Sequence, residues 1–124
     1  MTSGAGDRVR LAVPAEGDAF AQVRRFVHLF AQQSGVDDDR ADDLVQAAAE
    51  LLATDDAARR PTAVEVQEAG DGITVVVDLA GPEDVQVRAE SAALLSSLSR
   101  DWGWRRTPDA LQVWCEVAAR EPAP

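Results

Sequence analysis

Residues 62–80, "TAVEVQEAGDGITVVVDLA", decide how this chain folds. Valine, isoleucine and threonine crowd the stretch on both sides of Gly70, Asp71 and Gly72. β-branched runs flanking a glycine-aspartate turn predict a β-hairpin, because glycine takes positive φ at little cost and aspartate tolerates it.

Working outward, the pattern changes period. Upstream, Leu44, Val45, Ala48, Leu51 and Leu52 recur at helical spacing, which predicts a helix over about 39–53 with Asp37 or Asp38 as its cap. Before it, "EGDAFAQVRRFVHLFAQQSG" places Phe20, Val23, Phe26, Val27, Phe30 and Ala31 on one side of a helix that stops near Gly35. Gln22, Arg25 and Leu29 fall on the other side. Residues 8–13, "RVRLAV", alternate as a strand closed by Pro14. Downstream, "ESAALLSSLSRDWGW" predicts a helix over about 89–100, and "ALQVWCEVAA" a strand with Leu111, Val113, Cys115 and Val117 inward. The order β, α, α, β, β, α, β predicts an α+β fold. It is a two-layer α/β sandwich with a four-stranded mixed sheet and three helices on one face. One domain is expected over residues 8–118, with a flexible N-terminus at 1–7 and a flexible tail at 119–124.

Composition narrows the chemistry. The chain has 124 residues, enough for one core, and 46% are apolar. It carries 22 acidic against 12 basic residues, a net charge of −10, which phosphate backbones would repel, so nucleic acid is not an expected partner. All twelve basic residues are arginine, and lysine, tyrosine and asparagine are missing altogether. Without lysine there is neither Schiff-base chemistry nor a P-loop lysine. One cysteine and one histidine exclude an internal disulfide and a zinc cluster, and no metal site is expected. No apolar run is long enough to span a membrane, and "MTSGAGDRVR" lacks a signal peptide's apolar stretch, so a cytoplasmic protein is expected.

The element order, with "VRLAVPAEGDAFAQVRRFV", "GVDDDRADDLVQAAAELL" and "LSRDWGWRRTPDALQVWCEV", resembles the Bergerat-fold (GHKL) ATPases. Within them it is most similar to the anti-sigma factor serine kinases, over roughly residues 8–118. The resemblance implies a second helix ending in Glu, three residues, then Asn, where the glutamate serves catalysis and the asparagine holds magnesium. Here Glu50 matches but Thr54 stands in the asparagine position. It also implies an Asp-x-Gly-x-Gly run whose aspartate accepts from adenine. The counterpart is "DLAGP", in which Asp78 and Gly81 cannot both fit one alignment. The family's Gly-x-Gly before the last helix, which would lend N–H groups to phosphates, has no counterpart, since no glycine lies between Gly81 and Gly103.

Three altered parts of one site predict a degenerate member that needs no cofactor and catalyses nothing, with Glu50, Thr54, Asp78 and Gly81 as vestiges. The partners the resemblance implies are a sigma factor, an anti-sigma antagonist or a second copy of the chain. Candidate contact residues are Gln22, Arg25 and Leu29 on the first helix, and Trp102, Trp104 and Arg105, because tryptophan and arginine together are enriched at interface hot spots. The competing account of the latter group has Trp102 closing the core and an arginine stacked on an indole. Two alternatives stand beside this reading: an active ATP- and magnesium-dependent protein kinase using Glu50 with Thr54 or Asp55, and a non-catalytic subunit that only dimerises.

Overall fold

Alternation of side chains builds the sheet from its centre. A computed structural model describes residues 8–13, 18–52, 61–80, 88–109 and 111–119. Its hairpin joins β2 (Pro61–Ala69) to β3 (Gly72–Leu79), with Ala69 opposite Gly72 and only Gly70 and Asp71 between. Gly70 has φ 59°, the left-handed backbone that the turn requires and glycine supplies. Gly72 serves differently. A Cβ there would lie 2.1 Å from Nη2 of Arg100, whose guanidinium crosses the glycine to reach Asp71 Oδ1 (2.9 Å) and Glu116 Oε2 (2.7 Å).

The remaining strands are β1 (Arg8–Ala12), β4 (Asp101–Arg106) and β5 (Leu111–Ala118), and the sheet order is β1-β2-β3-β5-β4. Two expectations are corrected here. The sheet has five strands among the described residues, not four, and every neighbouring pair is antiparallel, so it is not mixed. The added strand is β4, "DWGWRR", which lines up along β5 from Asp101 opposite Glu116 to Arg106 opposite Leu111. It is short, interrupted by glycine and ends in two arginines, so its own pattern is weak; the ladder offered by β5 makes it a strand.

Three helices, α1 (Ala19–Gln33), α2 (Asp38–Leu52) and α3 (Ala89–Leu98), pack on one side of this sheet. Asp18 caps α1 by accepting from the Ala21 N–H (3.1 Å). The helix ends at Gly35, φ 72°, where the Val36 N–H returns to the Ala31 carbonyl (3.1 Å). Val23, Val27, Phe30 and Ala31 of α1 are buried with Leu44, Ala48, Leu51 and Leu52 of α2. Phe20, expected on the buried side, is 42% exposed in the first turn of α1. The sheet contributes Val64, Val66, Ile73, Val75, Val77, Leu79, Leu111, Val113, Cys115 and Val117 to the same core. No helix among the described residues is long and apolar enough to cross a membrane.

The turn and its clamp are testable. Gly70→Ala should lower stability by about 1 kcal/mol, since an L-residue is strained at positive φ, and urea denaturation with an unchanged m-value would show it. The Arg100 guanidinium, by hydrogen bonding to Asp71, holds that carboxyl below its ordinary pKa. The associated stability is thus present above the unfolded pKa and is lost as pH falls through the lowered folded value. Arg100→Gln should flatten that part of the acid limb in a pH series of thermal melts.

Candidate functional site

Glu50, in the last turn of α2, is half-buried and faces the first turn of α3. Its Oε1 accepts from Ser91 Oγ at 3.1 Å, and Ser91 is only 2% exposed. A carboxylate bonded to a buried hydroxyl joins two helices here. Thr54 and Gly81 lie outside the described residues.

Asp78 is placed elsewhere. On β3 the side chains of Val75, Val77 and Leu79 enter the core beneath the helices, so Thr74, Val76 and Asp78 point to the opposite, open face. There Asp78 is 7% exposed, and both its oxygens are engaged. Oδ2 accepts from Arg10 Nη2 (2.5 Å), and Oδ1 accepts from Gln112 Nε2 (2.9 Å). Gln112 Oε1 accepts in turn from Arg105 Nε (2.8 Å). Glu65 lies within 3.8 Å of Arg10 and 3.7 Å of Arg8, which completes a chain of polar contacts across all five strands. Hydrogen bonding to Asp78, assisted by the charge of Glu65, pushes the Arg10 pKa up. The sequence alone does not reveal this network, because it depends on which residues face each other across four ladders.

The β4 candidates divide between the two faces. Trp102, opposite Cys115, packs against the core and donates from Nε1 to Ser96 Oγ (3.0 Å), fastening β4 to α3. Trp104, opposite Val113, is on the same side but 43% exposed. Arg105 is on the open face, held by Gln112, so the three residues do not form one cluster. Trp114, absent from the sequence-based candidates, lies against Gly103, where a Cβ would come within 3.2 Å of its ring. Cys115 is fully buried, and burial pushes its thiol up to about 12, so it is an inert core residue.

On α1, Gln22 is half-buried, while Arg25 and Leu29 are exposed along one helical stripe. Leu29 does more than stand in solvent. With Val9 of β1 and with Phe26, Phe30 and Gln33 it lines a shallow groove of about 210 Å³ between α1 and the edge of the sheet. A second, more polar cleft of about 430 Å³ lies between α1 and α2, lined by His28, Gln32, Asp38 and Asp42 among others. No group of three or more His, Cys, Asp or Glu residues suited to a metal occurs among the described residues.

No protein-family model matches the chain, and no curated protein matches it. Among solved structures it is similar to the RsbU and RsbW domains of Rv1364c from Mycobacterium tuberculosis. The TM-score is 0.66 at 14% identity, over 94% of this chain. The similarity extends to 34% of that protein, so this chain spans about a third of its length. At this identity the two share a fold.

Glu50→Ala should cost about 1–2 kcal/mol, because it leaves the buried Ser91 hydroxyl without this acceptor. In a double-mutant cycle with Ser91→Ala, measured by urea denaturation, the two losses should fall short of additivity; strict additivity would mean that the Glu50–Ser91 bond contributes nothing.

Proposed function

We propose that this chain is a regulatory protein of the anti-sigma serine-kinase type that acts in the cytoplasm by binding protein partners and has lost the family's nucleotide site. The observation that carries the reading is the placement of Asp78. The resemblance would give this residue to adenine, yet its carboxylate turns away from the helices and is taken up by Arg10 and Gln112. Glu50 fits magnesium chemistry poorly for a similar reason, since one of its oxygens already accepts from Ser91. These two placements support the reading that the ATP and magnesium site is lost, and no catalytic step is assigned to Asp78 or Glu50.

What supports binding is the exposed surface of α1. Leu29 (48% exposed) and Val9 (42%) border an apolar groove, and Arg25, four residues before Leu29 on α1, is exposed on the same helical stripe. An apolar anchor next to an arginine is the composition of a hot spot. Its expected occupant is a sigma factor or an anti-sigma antagonist. The net charge of −10 argues against a nucleic acid there.

Two measurements test the reading. ATP with magnesium should leave the melting temperature unchanged. A ligand present at about 100 times its dissociation constant would add about 2.7 kcal/mol, an unmistakable shift, and such a shift would restore the active-kinase alternative. Arg25→Glu or Leu29→Asp should weaken capture of the sigma factor or antagonist by more than about 1 kcal/mol with the fold intact. Unchanged capture by both variants would remove α1 from the interface.

A further inference from the structure

Helix α1 separates two recesses. On the flank toward β1, Phe26 and Leu29 line the apolar groove together with Val9. On the flank toward α2, His28 and Gln32 share the polar cleft with Asp38 and Asp42. The two rims meet on the helix, since Leu29 follows His28 directly and Gln32 stands about one turn further on. His28, Leu29 and Gln32 are all exposed, so a body resting on this ridge touches both recesses.

The cleft holds unbalanced charge. Asp38 and Asp42 are exposed and lie four residues apart on α2, so they share one helix face, where like charges repel. Neither has a salt-bridge partner among the described residues, and Arg40, between them in sequence, pairs with Asp43 instead (3.3 Å). A cation seated between the two carboxylates relieves their repulsion. Two features select a side chain over a bare metal ion. No group of three or more His, Cys, Asp or Glu residues suited to a metal occurs among the described residues, and Val36 and Ala41 give the wall apolar patches for the methylene stem of an arginine or lysine.

Charge also fixes the orientation of an occupant. Arg24 and Arg25 are exposed one turn before His28 and Leu29, so a cation is repelled from that end of α1 and drawn toward the cleft. The net charge of −10 adds attraction at longer range. Both helices pair their own backbone groups internally, so recognition falls to side chains, as when an amphipathic helix is laid into a groove.

Resting on the reading of this chain as a protein-binding regulator, we propose that its partner presents an amphipathic helix that straddles α1, with an apolar residue in the groove and an arginine or lysine in the cleft. The two recesses flank a helix about 10 Å across, a distance that about seven residues of a partner helix span, so the apolar and basic residues stand about two turns apart on one face.

Fluorescence anisotropy on the full chain tests this with a labelled, lactam-bridged peptide of about sixteen residues, long enough to hold a helix, that carries leucine and arginine two turns apart on an alanine and glutamine background. The peptide should bind, and replacing its arginine with glutamate should weaken binding about tenfold or more. Asp42→Arg should weaken the arginine peptide by a similar factor and restore binding of the glutamate peptide. Asp42 is exposed, so the fold should survive the exchange; Asp42→Asn should give a smaller loss in the same direction and carries the test if Asp42→Arg does not fold. Leu29→Asp should abolish binding of both peptides. Failure of the arginine peptide to bind would overturn the proposal, as would a preference between peptides that ignores the charge at position 42. So would a dimer in sedimentation velocity that Asp42→Arg dissolves, because the ridge would then belong to a second copy. Loss of sigma factor or antagonist capture in Leu29→Asp, combined with peptide binding indifferent to charge, would sink the straddling helix and leave the regulatory reading standing. Unchanged capture by both Arg25→Glu and Leu29→Asp would remove α1 from the interface and take this inference with it.

Discussion

The strict alternation of β3 constrains everything else in this molecule. It is the middle one of the five strands among the described residues, and its side chains go by turns to the helices and to the open face. A slip of one residue would drive Asp78 into the core and Ile73, Val75 and Val77 out of it. Three devices hold the register. Gly70 turns the chain within two residues, Arg100 straddles Gly72 to tie the turn to β5, and Asp78 is gripped from both neighbouring sides by Arg10 and Gln112. The last of these puts a buried carboxylate on the side with no helix over it.

That placement separates fold from chemistry. The likeness to the RsbU and RsbW domain structure reflects a shared framework, and a framework can persist while the residues on it take other duties. In the proposed reading, Asp78 and Glu50 have passed from ligand contact to holding strands and helices together. Arginine suits the open-face role, because one planar guanidinium can serve both Glu65 and Asp78, which a lysine ammonium would do less well. The absence of lysine from the whole chain fits that usage.

Most of the fold was legible in the sequence because long segments with a clear period override local detail. The hairpin around Gly70, the helices ending at Gly35 and beginning near Asp37, and the inward Leu111, Val113, Cys115 and Val117 all stand where periodicity places them. β4 was not legible, since "DWGWRR" is a strand by virtue of its neighbour. Phe20 misled because a helical stripe says which side is apolar without saying how deeply each residue on it is covered. The candidate site was least legible. Glu50 and Ser91 are 41 residues apart, Arg10 and Asp78 are 68 apart, and no local pattern announces either pair.

The three tryptophans give the fold an uneven set of witnesses. Trp102 is wedged between β4 and α3, Trp104 is at the rim of the same strand, and Trp114 covers Gly103 on the open face. With tyrosine missing, emission excited at 295 nm reports only the tryptophans at one edge of the sheet, and β1, α1 and α2 carry none. Far-UV ellipticity is dominated by the helices instead. Agreement of the two signals through an unfolding transition would therefore compare opposite parts of the molecule, a stringent test of whether it melts as a single cooperative unit. A lag between them would reveal the β4–β5 edge opening on its own.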